Sequence, residues 1–128
     1  MYEVIYSSRL APGAPITAVS DIVGRARRAN APRGITGLLV FDGLRFCQAL
    51  EGPQLEVLTL MAKIKEDERH TGVSVLHHGS SSVRRFERFR TGYTPADQPN
   101  LLVALEGLEG PAAAQAVAAL VPLLDLDP

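Results

Sequence analysis

Apolar and polar residues alternate with a period of two along several stretches of the chain, which predicts β-strands. The first stretch places Tyr2, Val4 and Tyr6 on one face. The second is apolar on both faces, as is typical of a central strand, and Asp42-Gly43 after it favours a tight hairpin. The predicted strands cover residues 2–8, 34–42, 44–52, 73–78 and, as a short edge strand, 89–93.

Two segments between these strands have the helical period of 3.6. The first helix is predicted from Thr17 to Asn30, and the second follows Gly52-Pro53 and closes at residues 67–70. The buried stripe of the first helix is expected at Ile16, Val19, Ile22, Val23 and Ala26. That of the second is expected at Leu55, Val57, Leu58, Met61, Ala62 and Ile64.

The predicted order β-α-β-β-α-β, with a further short strand, indicates an α+β fold of the ferredoxin-like type. Both helices then cover one sheet face and leave a cleft between them. We expect a domain at residues 1–94 and a tail at 95–128, with a linker at 95–99 and short helices near 100–107 and 111–124. The apolar tail should cover the other sheet face or a second copy of the chain.

One polar residue stands on a strand face that should be buried. In the third strand, Gln48 shares its face with Leu44, Phe46 and Leu50. A buried amide left without hydrogen bonds costs about 1–3 kcal/mol. The sequence therefore predicts a polar partner for Gln48, supplied by the protein or by a bound ligand.

A second amide projects toward the interior from the first helix. Four residues beyond Ala26, the apolar stripe reaches Asn30. Asparagine at this position is either a helix C-cap or a ligand contact. Arg25, Arg27 and Arg28 lie mostly on other faces and are predicted to be solvated.

Composition indicates one ordinary soluble domain. The chain has 128 residues, of which 46% are apolar and 21% charged, and a net charge of −1. That charge gives no electrostatic argument for binding nucleic acid or a membrane, and no apolar run is long enough for a membrane span. The single cysteine, Cys47, is expected to be a core residue, and the cytoplasm is the expected compartment.

Motifs for catalysis or metal binding are absent from the sequence: it has no phosphate-binding glycine loop, no nucleophile elbow and no cysteine or histidine cluster. His77 and His78 are predicted to be exposed strand residues. Residues 84–90 place four arginines around two phenylalanines. This pattern indicates either an anion or nucleic-acid patch or a solvated loop that leads to the edge strand, and the near-neutral charge favours the loop. The remaining candidates are a ligand-binding sensor and an interaction domain.

Five short motifs, in order over about residues 2–92, resemble the BLUF domain, a flavin-binding sensor of blue light. The motifs are Tyr6-Ser7-Ser8, Asn30 with Gly34-Ile35-Thr36-Gly37, Phe46-Cys47-Gln48-Ala49-Leu50-Glu51-Gly52, Asp67-Glu68-Arg69-His70 and Arg84-Arg85-Phe86. The resemblance implies a ferredoxin-like fold with FAD bound between the two helices.

The same resemblance assigns roles to individual residues. Light would drive an electron and then a proton from Tyr6 to the flavin, and Gln48 would rearrange in response. Asn30 would bond the polar edge of the ring, with Arg69 and His70 near its pyrimidine side. The implied flavin contacts are Tyr6, Ile22, Asn30, Phe46, Gln48, Ile64, Asp67, Arg69 and His70.

The implied signal leaves through the last strand, at Phe89 and Thr91, where many family members have Trp and Met. The tail is too short for an enzymatic effector, so we expect no enzyme activity. Output would go through a downstream protein partner or a homodimer or higher oligomer. The alternative is a ferredoxin-like interaction or assembly domain of the same family in which photosensing or signalling has been lost.

Overall fold

The computed structural model describes residues 1–15 and 17–127. Ile16, assigned above to the stripe of the first helix, lies outside the described residues. The strands are β1 (Tyr2–Leu10), β2 (Thr36–Phe41), β3 (Arg45–Gly52), β4 (His70–Ser80), β5 (Phe89–Tyr93) and β6 (Asp125–Leu126). The helices are α1 (Thr17–Asn30), α2 (Gln54–Glu66) and α3 (Gly110–Leu120), with 3₁₀ turns at Ala31–Arg33, Val103–Leu105 and Val121–Leu123.

The six strands form one sheet in the order β4-β1-β3-β2-β5-β6. Every pairing is antiparallel except that of β2 with β5. The predicted ferredoxin-like α+β architecture is confirmed. The sequence pattern missed β6, because two residues are too few to show a period.

Two apolar clusters lie on opposite faces of the sheet. One packs α1 and α2 onto Val4, Tyr6, Leu39, Phe46 and Leu50. The other packs the tail, including α3, onto Ile5, Leu38, Val40, Cys47, Ala49 and Leu76. The tail therefore covers the second sheet face of its own chain, which was one of the two predicted roles, the other being to cover a second copy of the chain.

The inward face of α2 differs from the prediction. Val57 and Met61 are buried and Leu60 and Ile64 pack beside them, whereas Leu55 and Leu58 are 76% and 44% exposed and Ala62 is also exposed. A straight helix on a sheet buries only the stripe at i, i+3, i+4 and i+7. The three exposed residues fall outside that stripe.

Other differences concern β4 and the tail. His77 was expected to be exposed, but its side chain is 17% exposed and its Nε2 lies 2.8 Å from Glu3 Oε1. It pairs with Ile5, on the face that the tail covers. The helix expected near residues 100–107 is only the turn Val103–Leu105.

Two other expectations are confirmed. Cys47 is a buried core residue, and burial raises the pKa of its thiol to about 12. The arginine-rich segment between β4 and β5 lies outside regular structure, and Arg84, Arg85 and Arg88 are exposed. This segment is therefore the solvated loop that was predicted.

Candidate functional site

A cavity of about 520 Å³ opens between α1, α2 and the sheet, within the range of small-molecule and cofactor sites. All nine residues assigned to flavin from the sequence line it: Tyr6, Ile22, Asn30, Phe46, Gln48, Ile64, Asp67, Arg69 and His70. They come from β1, α1, β3, α2, the segment between α2 and β4, and the start of β4. The fold therefore brings together residues that are up to 64 positions apart in the sequence.

The polar partner of Gln48 is a hydroxyl on the neighbouring strand. Tyr6 of β1 pairs in register with Gln48 of β3, and the Tyr6 hydroxyl donates a hydrogen bond to Gln48 Oε1. Both residues are 3% exposed. The protein thus satisfies the glutamine carbonyl at the floor of the cavity.

The environment of Tyr6 keeps its phenol neutral. Burial is the main cause that raises its pKa above the ordinary 10.0, and the negative forms of Cys47 and Asp67 raise it further. A neutral phenol is a hydrogen-bond donor. Tyr6 therefore keeps the donor role toward Gln48 across the physiological pH range.

An alkaline titration checks this assignment. Since the folded state binds the Tyr6 proton more tightly than the unfolded chain, its contribution to stability falls as pH rises above 10.0. We expect Tyr6→Phe to leave the phenolate absorbance of the folded protein unchanged below about pH 11, and to reduce that of the unfolded protein by one tyrosine. Ionisation of Tyr6 in the folded protein near pH 10 contradicts the assignment.

Asn30 is the unsatisfied group of the cavity. It is 1% exposed, and neither its Oδ1 nor its Nδ2 has a hydrogen-bond partner among the described residues. The cap interpretation is wrong: Asn30 has right-handed helical angles and makes no capping bond, and Gly34 has the left-handed conformation instead. A buried amide in this state is free to bind a partner that offers both donor and acceptor groups.

Three cavity residues after α2 are oriented by local bonds. Arg69 Nη2 lies 2.6 Å from Asp67 Oδ2, and this pairing lowers the pKa of Asp67 and raises that of Arg69. His70 Nε2 lies 2.7 Å from the Ile64 carbonyl oxygen, and Nδ1 lies 2.9 Å from Ser8 Oγ. A carbonyl only accepts, so Nε2 carries the proton and the imidazole presents its ring to the cavity.

The cavity lining also has a cationic part that the sequence pattern does not reveal. Arg25, Arg33 and Lys63 line the cavity, against one additional acidic residue, Glu66. Arg25 was predicted to be solvated, because helical period alone does not show where a second helix leaves a gap. Three cations suit a ligand that carries phosphate.

The two residues assigned to signalling lie beside the cavity rather than in its lining. Phe89 belongs to the apolar cluster that packs α1 and α2 onto the sheet, and Thr91 is 3% exposed. Thr91 is in register with Leu39, which is in register with Gln48. Arg27 is exposed, as predicted, and its Nε also donates to Thr91 Oγ1 at 2.9 Å.

Among residues 1–15 and 17–127, no group of three or more His, Cys, Asp or Glu side chains could hold a metal ion. No helix in this part of the chain has both the length and the apolar character needed to cross a membrane.

Comparison with known proteins identifies the family. Residues 1–92 match the family described as "BLUF: Sensors of blue-light using FAD". The "Blue light- and temperature-regulated antirepressor BluF" of Escherichia coli (strain K12) is 34% identical over 83 residues, which are 65% of this chain and 21% of that protein. This chain therefore matches about a fifth of that relative's length.

Two solved structures share the fold. The structure "Klebsiella pneumoniae BlrP1 with FMN and cyclic diGMP, no metal ions" has a TM-score of 0.64 at 39% identity, over 69% of this chain and 24% of that one. The structure "BlrB - a BLUF protein, dark state structure" has a TM-score of 0.73 at 25% identity, over 92% and 95% of the two chains. With a family match over most of its length, this chain belongs to the BLUF family of flavin-binding blue-light sensors.

Proposed function

We propose that flavin binds in the cavity between α1 and α2, and that Asn30, Tyr6 and Gln48 form its polar contacts. The observation that carries this proposal is the Asn30 amide, buried in the cavity wall with both polar ends unpartnered. The polar edge of a flavin ring offers the donor and the acceptors that this amide lacks. When bound, flavin supplies the blue absorption and an electron acceptor that light activates.

Tyr6 and Gln48 supply the switch. The buried neutral phenol of Tyr6 is an oxidisable group with a transferable proton, and it already donates to Gln48. Rotation of the Gln48 amide exchanges its carbonyl and its NH₂ group, so that the side chain presents a donor where it presented an acceptor. Tyr6 would give an electron and a proton to the bound flavin and then take both back, which would leave the phenol unchanged and Gln48 with a second bonding pattern. In a low-dielectric site such a difference in hydrogen bonding is large.

The remaining six of these nine residues are proposed to hold and surround the flavin. Ile22, Phe46 and Ile64 pack around the ring, while Arg69 and His70 line its pyrimidine side and Asp67 the ribityl chain. Arg25, Arg33 and Lys63 add positive charge for a phosphate group. We choose FAD over FMN because the family is described as using FAD.

The output is proposed to pass from a sensor at residues 1–94 to the tail at residues 95–128 and then to a protein partner in the cytoplasm. A relative named an antirepressor supports a protein partner. The exposed Leu55 and Leu58 on α2 are apolar positions suited to a homodimer contact. We propose no enzyme activity for this chain by itself.

One absorbance experiment tests the proposal. The protein purified with its cofactor is expected to be yellow, to shift its flavin spectrum to longer wavelength under blue light and to recover in the dark. On denaturation it is expected to release FAD, which chromatography separates from FMN. A protein that takes up no flavin contradicts the site, and one that binds flavin without a light response supports the alternative of lost photosensing.

A further inference from the structure

In addition to its own pairing with β5, strand β6 is held in place by the hydrogen bonds of the residue that follows it, Asp127. Asp127 N–H donates to the Thr91 carbonyl at 2.8 Å, and Thr91 N–H donates to Asp127 Oδ1 at 3.0 Å. Asp127 Oδ2 accepts from Arg27 Nη2 at 2.8 Å. Arg88 and Arg90 reach the Asp127 carbonyl oxygen at 3.5 and 3.4 Å. Three arginines thus converge on one acidic residue.

The edge of β5 is shaped for close approach of a strand. A Cβ atom at Gly92 would lie 2.3 Å from the Asp125 carbonyl oxygen. The ladder between β5 and β6 has only two registered pairs, Gly92 with Leu126 and Tyr93 with Asp125. So short a ladder is weak by itself, and the bonds of Asp127 supply a large part of the attachment.

This edge lies next to the cavity. Arg27 lies in the last turn of α1, and Ala26, Ala29 and Asn30 of the same helix line the cavity. Across the sheet, Thr91 is in register with Leu39 and Gln48. A shift of α1, or of the registered residues Gln48, Leu39 and Thr91, would therefore change the hydrogen bonds that hold β6.

We propose that the outer edge of β5, with Arg27, Arg88 and Arg90, is a docking edge for an extended acidic segment of a signalling partner. The chain's own β6 occupies this edge and competes with that segment. Backbone bonds along the edge provide affinity, and a carboxylate at the position of Asp127 provides selectivity. The proposal extends the proposed function by giving the chemistry of the partner.

The probe is a fluorescent peptide with the sequence of residues 121–127, added to the full flavin-loaded chain in the dark and followed by anisotropy. Asp127→Asn weakens the internal competitor and keeps its shape. We expect it to bind the peptide about tenfold more tightly than the unchanged chain, since apparent affinity scales with the fraction of free edges. The same peptide with asparagine at both aspartate positions is expected not to bind.

Two further variants locate the peptide. Adding Arg27→Gln to Asp127→Asn is expected to remove the gain, because the carboxylate loses its main cation. Adding Gly92→Ala to Asp127→Asn is also expected to remove it, because the new Cβ meets any strand on this edge. Equal binding by all variants overturns the docking edge. These binding measurements need no light. If the peptide shows no gain in affinity while the light-induced spectral shift is intact, the docking edge alone is rejected. If the gain in affinity is present and the spectral shift is missing, the photochemistry alone is rejected.

Discussion

Tyr6→Phe is expected to abolish the light-induced spectral shift while flavin uptake is retained. The change keeps the buried ring and removes the hydroxyl that donates to Gln48 Oε1. Without the phenol, no group at this position can give up both an electron and a proton. The loss of the bond should also lower the free energy of unfolding by about 1–3 kcal/mol, since the Gln48 carbonyl is left without its donor. Difference absorbance before and after blue light, with the ratio of flavin to protein, measures both parts.

Tyr2→Phe is the matched control. Tyr2 lies on the same strand as Tyr6, but its hydroxyl lies 2.8 Å from His78 Nδ1 and the residue does not line the cavity. This variant is expected to show the full spectral shift. A shift of normal size and recovery rate in Tyr6→Phe would show that another residue is the donor.

Asn30→Leu is expected to act in opposite directions on stability and on flavin binding. In the flavin-free protein it replaces a buried amide without partners by an apolar side chain of similar size, which should raise the free energy of unfolding by about 1–3 kcal/mol. In the flavin complex it removes the hydrogen bonds proposed for Asn30. We expect flavin affinity to fall about 10- to 100-fold.

Fluorescence titration of flavin and thermal unfolding with and without flavin measure the two effects. Asn100→Leu is the control, because Asn100 is exposed and lies away from the cavity. It should change neither quantity beyond what a surface substitution does. Unchanged flavin affinity together with a less stable flavin-free protein in Asn30→Leu contradicts the role of this amide.

The order of elements could be predicted because each depends on local period and on turn residues. Alternation at Tyr2, Val4 and Tyr6 and the hairpin signal Asp42-Gly43 are properties of neighbouring residues, and the structure has a strand or turn at each. The inward face of α2 was predicted less well. Leu55 and Leu58 are as apolar as the buried Val57, and only the position of the sheet distinguishes them.

The sequence also identified Gln48 and Asn30 as polar residues on buried faces, because an amide among apolar neighbours is visible in the pattern itself. It left both partners open. The structure showed that Tyr6 satisfies Gln48 and that nothing in the described protein satisfies Asn30. The distinction depends on register between strands and on the gap between helices, which are long-range properties.

By itself, the sequence determined the α+β order, the two buried amides and the family resemblance, since these depend on spacing along the chain. Only the tertiary structure decided that Arg27 of α1 binds Thr91 of β5 and Asp127 beyond β6. These three residues span 100 positions, and no local period relates them. Folding joins them because β5 pairs parallel with β2 and leaves its other edge open to the end of the chain.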